Sequence, residues 1–184
     1  MIFKETKLKG AYIIELEPIE DNRGSFGRSF CQKEFEFHEI PMNLVQCHIS
    51  YNKKKGTLRG MHYQAAPYEE AKLVRCARGS IYDVIIDLRP DSATYCQWTA
   101  VELAAYRSQL SSHHKMLYIP KGFAHGFITF SDQAEIFYQM SEFYSPDHAR
   151  GVRWNDPAFD IRWPVAVQVI SERDNNYPNF EANR

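Results

Sequence analysis

The chain lacks any apolar run approaching the roughly 18 residues of a membrane span. Its first ten residues carry Lys4, Glu5, Lys7 and Lys9 in place of the apolar stretch of a secretory signal. An excess of either charge is also missing, with 22 Lys and Arg against 23 Asp and Glu and a net charge of −1. Nucleic acids and membrane surfaces ordinarily require a basic surplus, so neither is an expected partner. A local cationic site for a small anion is still allowed. The four cysteines, Cys31, Cys47, Cys76 and Cys96, are far apart and form no Cys-x-x-Cys pair. A chain this long buries a core without staples, so reduced thiols and a cytoplasmic location are the expectation. Internal repeats, low-complexity tracts and linker-like Pro/Gly/Ser stretches are absent.

What is present is ordinary for a packed globule: 184 residues, 44% hydrophobic and 24% charged, read as one domain over 1–184. Short segments rich in Val, Ile, Tyr, Phe and Thr predict strands over 11–17, 44–51, 57–64, 72–77, 80–88, 97–103, 116–119, 125–130 and 134–144. Turn signals such as Asp21-Asn22-Arg23-Gly24 and Pro120-Lys121-Gly122 punctuate them. One segment, 32–40, reads as helix. Many closely spaced strands predict an all-β sandwich or barrel. Within 80–88, period two places Tyr82, Val84, Ile86 and Leu88 on one face and Ile81, Asp83, Ile85 and Asp87 on the other. An acid on a mixed face is ordinarily solvated, so Asp83 reads as a surface group. The alternative is a barrel with a polar lumen.

Two segments carry candidate chemistry. The first is Gly56-Thr57-Leu58-Arg59-Gly60-Met61-His62-Tyr63-Gln64, followed by Glu69, and the second is Pro120-Lys121-Gly122-Phe123-Ala124-His125. Together they resemble the paired motifs of the cupin superfamily, which implies a jelly-roll β-barrel with a few short helices. Metal-binding cupins use three His and a Glu. Here Gln64 replaces one His and leaves His62, Glu69 and His125, and an amide is a poor transition-metal ligand, so no metal is expected. Without one, side chains must do the chemistry. His62 is the natural general base. Asp174 and Asp83 are both candidates for the acid that orients it. Lys72 could stabilise an enolate, Tyr138 could return a proton to carbon, and Arg59 and Arg23 could hold phosphates. Each group also has a plain structural reading, as a half-buried His, a capped core Tyr or a solvated strand-end cation. Strict alternation places Arg59 and His62 on opposite faces, so both reach one cavity only if the strand is irregular at Gly60, or if Arg59 serves a neighbouring subunit.

Over 8–174 the chain resembles the dTDP-4-dehydrorhamnose 3,5-epimerase family. The carriers are 21–26, 58–64, 72–75, 82–89, 120–127, 138–144, Arg150-Gly151-Val152-Arg153-Trp154-Asn155-Asp156-Pro157 and Ser171-Glu172-Arg173-Asp174. The resemblance implies a nucleotide-sugar epimerase that inverts C3 and C5 of a dTDP-4-keto-6-deoxyhexose through an enolate. It maps the base to His62 with Asp174, the acid to Tyr138 and the conserved lysine to Lys72. The substrate-facing set it implies is Arg23, Phe26, Gln46, Arg59, His125, Tyr144 and Asp83, with Asp83 paired to His125. It further implies no metal or organic cofactor and a homodimer that shares N-terminal strands. Departures are Arg28 and Gln139, where Glu and Lys are common in the family, the run Val45-Gln46-Cys47-His48, and a longer segment at 106–115 that reads as a surface loop. The rival readings are a C3-only epimerase, a non-catalytic nucleotide-sugar-binding cupin and a metal cupin.

Overall fold

The computed structural model describes residues 1–105 and 114–181. Strands are numbered along the chain. One sheet has the order β1 (Ile2–Glu5), β2 (Tyr12–Glu15), β10 (Lys115–Ile119), β7 (Lys72–Arg78), β12 (Ala134–Met140), β5 (Gln46–Asn52). The other has the order β13 (Ala149–Gly151), β6 (Leu58–Gln64), β11 (Phe123–Thr129), β8 (Ser80–Asp87), β9 (Trp98–Ala104). A separate hairpin pairs β3 (Ile19–Asp21) with β4 (Gly24–Phe26). The paired strands are antiparallel, and the architecture is the cupin jelly roll.

Alternation along each strand makes this a three-layer hydrophobic problem. Inward residues of both sheets meet in one cluster: Val74, Leu117 and Ile136 from the first sheet, Ile81, Ile85, Leu103 and Phe127 from the second. The outer face of the first sheet, with Ile14, Leu73, Met116 and Tyr118, is covered by Phe35, Ile40 and Met42. Phe35 comes from the helix α1 (Gln32–Phe37). Burying each such large side chain is worth about 1.5–3 kcal/mol. The outer face of the second sheet, with Met61, Val84, Ile86 and Ala124, is covered by Val152, Phe159 and Ile161.

The expected helix over 32–40 stops at Phe37. Glu39 takes φ +57° and Pro41 disfavours helical geometry at Ile40. The strand expected over 134–144 ends at Met140, after which Ser141 exchanges hydrogen bonds with Ala71 through its backbone and hydroxyl. The faces assigned to 80–88 hold, but Asp83 is not a surface group. It is fully buried on the inward face, so the lumen is polar at that level. The cysteines are free thiols. Among the described residues no helix is long and apolar enough to cross a membrane. The loop reading of 106–115 falls largely on 106–113, outside the described residues.

Candidate active site

The irregularity demanded at Gly60 is present. His62 lies opposite His125 while Arg59 lies opposite Phe127, so three steps on β6 match two on β11. Gly60 has φ +137°, and a Cβ there would stand 2.5 Å from the Gly126 Cα. A Cβ on Gly126 would stand 2.8 Å from the Arg59 carbonyl oxygen. The two glycines let the backbones touch, and the resulting bulge turns Arg59 and His62 toward the same cavity of about 480 Å³. The alternative, Arg59 serving a neighbour's cavity, is not needed.

The cavity lies between the sheets. Arg59, His62 and His125 line it from β6 and β11, and His48, Ser50, Lys72 and Tyr138 line it from β5, β7 and β12. Exposed Tyr144, Arg150 and Arg173 complete its mouth.

His62 Nε2 lies 2.7 Å from Asp174 Oδ1. Asp174 sits in the short helix α2 (Glu172–Asn175), where Ser171 caps its backbone N–H, and its Oδ2 accepts the Gly60 N–H at 3.1 Å. Burial works to raise the Asp174 pKa. The bond to His62, the His62 charge, the Gly60 N–H and the Ser171 hydroxyl outweigh it and hold the carboxyl below the usual range. An ionised Asp174 accepts, so Nε2 carries the proton and the imidazole lone pair is left on Nδ1.

His125 Nε2 stands 2.9 Å from Asp83 Oδ1. The contact is off hydrogen-bonding geometry, and neither Asp83 oxygen nor His125 Nε2 has a hydrogen-bond partner among the described residues. Burial dominates and pushes the Asp83 carboxyl up, with His125 and Lys72 offsetting only part of it. The His125 ring meets the Tyr138 ring edge-on at 6.0 Å. Burial, then the charge of Asp83, raises the Tyr138 phenol well above its ordinary value, while a Ser50 hydrogen bond and the Arg59 charge pull it back. Lys72 Nζ pairs with Glu70 Oε1 at 2.9 Å.

The structure therefore brings His62, Lys72, Tyr138, Arg59, His125 and Tyr144 to one cavity. Asp174 and Asp83 stand behind the two imidazoles rather than in the wall. Gln46 lies at the rim, where its Oε1 accepts the Tyr144 N–H at 2.9 Å. Arg23 and Phe26 do not join this cavity. They sit on the exposed β3–β4 hairpin, with Arg23 closed onto Asp21 and Phe26 82% exposed. Sequence reasoning missed His48, Ser50, Glu70, Arg150 and Arg173 as site residues. Signals existed for three of them: period two from Gln46 reaches His48 and Ser50, and Arg173 adjoins Asp174.

The residues do not fit a cupin metal. Gln64, where a metal-binding cupin has His, donates to the carbonyls of Tyr68 and Phe143 and accepts the Ser145 N–H at 2.6 Å, so its amide clamps two loops. Both His62 and His125 turn Nε2 toward an aspartate. Glu69 does not line the cavity; the acid in its wall is Glu70. Among the described residues no three His, Cys, Asp or Glu side chains converge.

Fold and cavity define a class: a cupin-type jelly roll whose interior carries acid–base side chains suited to proton transfer. Comparison with known proteins narrows it. A family model described as dTDP-4-dehydrorhamnose 3,5-epimerase matches residues 5–182. The dTDP-4-dehydrorhamnose 3,5-epimerase of Shigella flexneri is 39% identical over 177 residues, covering 96% of this chain and 94% of that protein. The crystal structure of the Bacillus anthracis enzyme of the same description, with TDP and pyrophosphate bound, superposes with a TM-score of 0.91 at 38% identity, covering 97% of this chain and 99% of that one. A Legionella pneumophila dTDP-6-deoxy-D-glucose-3,5-epimerase in complex with dTDP-4-keto-L-rhamnose gives 0.85 at 32% identity, covering 98% and 99%. The chain belongs to the dTDP-4-dehydrorhamnose 3,5-epimerase family and is an isomerase, a carbohydrate epimerase.

Proposed function

We propose that this epimerase inverts both C3 and C5 of a dTDP-4-keto-6-deoxyhexose. The observation that carries the proposal is the placement of His62 and Tyr138 on opposite sheets around one cavity. Inversion at a carbon acid requires removal of a proton from one side and delivery from the other. The 4-keto group acidifies the hydrogens on C3 and C5. His62 Nδ1 takes one of them as a proton, and the electron pair left on carbon delocalises onto the keto oxygen. The Lys72 ammonium stabilises that oxyanion. Tyr138 then gives its phenolic proton to the opposite side of the carbon, and its raised pKa keeps that proton in place at neutral pH. Solvent resets both groups, so the sugar is isomerised with no net change in composition. Positioned acids and bases contribute about 10²–10⁴-fold each.

Arg59, Arg150 and Arg173 at the mouth suit the diphosphate, because guanidinium forks match phosphate oxygens. Arg23 and Phe26 lie outside the chain's own cavity, and this supports a homodimer in which the hairpin serves the partner's site. Turnover of dTDP-4-keto-6-deoxyglucose in D₂O tests the reaction. Deuterium at both C3 and C5 of the product is expected; label at C3 alone establishes a C3-only epimerase, and no turnover refutes the reading.

A further inference from the structure

We propose that Glu70 is a positioning residue that fixes the Lys72 ammonium for the oxyanion, an inference that rests on the epimerase reading above. Glu70 and Lys72 form an ion pair inside the cavity wall, with only 7% and 9% of their side chains exposed. Lys72 has three N–H donors. Nζ stands 2.9 Å from Glu70 Oε1 in the ion pair and reaches the His62 carbonyl oxygen at 3.5 Å. These two contacts hold Nζ in the wall and leave it donor capacity for the cavity.

The other Glu70 oxygen makes the case. Oε2 is buried and has no hydrogen-bond partner among the described residues. Taking a carboxylate out of water with half its acceptors unused is unfavourable, and an apolar residue would serve stability better. The chain does not need Glu70 to hold its course. Ala71 is already anchored on Ser141, donating to the hydroxyl at 2.8 Å and accepting the Ser141 N–H at 3.0 Å. What the carboxylate does accomplish is to hold a flexible four-carbon side chain at one point. Oxyanion stabilisation depends on such placement, since a displacement of about 1 Å costs on the order of 10²-fold in rate.

The test is a double-mutant cycle on kcat with Glu70→Ala, Lys72→Ala and the double variant, alongside dTDP binding by thermal shift. Glu70→Ala is expected to lower kcat by roughly 10–100-fold, with KM within about threefold and dTDP binding unchanged. Glu70→Gln keeps an acceptor for Nζ and should recover part of the loss. The double variant should be no slower than Lys72→Ala, because Glu70 acts through Lys72. A Glu70→Ala enzyme with wild-type kcat overturns the inference, and so does a double variant in which the two losses multiply. If Glu70→Ala does not fold, the same cycle with Glu70→Leu, which fills the volume without an acceptor, decides by the same criteria. A wild-type protein inactive on the substrate refutes the functional reading itself and this inference with it, an outcome distinct from both of the others.

Discussion

In the proposed mechanism His62 acts as a base only while its lone pair is on Nδ1, and an ionised Asp174 keeps it there by accepting from Nε2. Asp174→Asn should therefore be severe. Its amide N–H would favour a bare Nε2 and move the proton to Nδ1. We expect kcat to fall by on the order of 10²–10⁴ with KM little changed, read by steady-state kinetics. His62→Ala should abolish turnover and leave the dTDP-induced thermal shift intact; turnover at the wild-type rate would remove His62 as the base. Asp83 illustrates where a residue-level reading stops. Composition statistics favour a solvated acid, and only the first sheet closing over β8 makes that face an interior. The same limit applies to Glu70, whose proposed role depends on a lysine two positions on and on the burial of both in the cavity wall.

At the scale of the element, the bulge in β6 was legible because Gly60 stands between two residues that chemistry wants on one side. Gly126 across the ladder was not, since nothing in sequence says which strand faces it. A Cβ on Gly126 would meet the Met61 sulfur at 2.6 Å and the Arg59 carbonyl oxygen at 2.8 Å. Gly126→Ala should thus cost about 1–3 kcal/mol in thermal or urea unfolding and reduce kcat by displacing Arg59 and His62 together. A second device pins the turn after β8. Burial alone would raise the Asp87 pKa, but the Arg89 guanidinium and the hydroxyls of Ser92 and Thr94 hold it below the usual range. Its unfolded value is about 3.9, so the stabilisation is fully present above that pH and is lost as pH falls through the lower folded value. Asp87→Asn should cost about 3 kcal/mol near neutrality, and the gap to wild type should close below about pH 4. Urea melts from pH 7 to pH 3 check this, and a gap independent of pH contradicts it. The strands of seven or eight residues were legible within a residue or two, except β12, which ends four residues before the expected Tyr144. The three- and four-residue pieces β1, β3, β4, β13 and α2 were not, because so few positions carry no readable period.

At the scale of the whole molecule, the jelly roll converts residues from distant segments into one wall-to-wall site. His62 and Asp174 are 112 positions apart, and only the motif match connected them in sequence. The hairpin holding Arg23 and Phe26 is the part of the expected site that one chain leaves outside its cavity, with Ile19 75% and Phe26 82% exposed. If the hairpin completes a partner's site, two inactive variants complement each other. Arg23→Ala mixed with His62→Ala should regain activity on subunit exchange, because one mixed site then has both residues. Sedimentation should give a dimer. A monomer, or mixtures no more active than the separate variants, would contradict the shared site.

The central claim is that proton removal and proton delivery come from opposite walls. Tyr138→Phe in D₂O separates them most directly. With the acid gone and His62 intact and 41% exposed to solvent, the substrate should take up deuterium at the carbon acid, read by proton NMR, while its configuration is retained. Inversion by Tyr138→Phe at the wild-type rate would contradict the account.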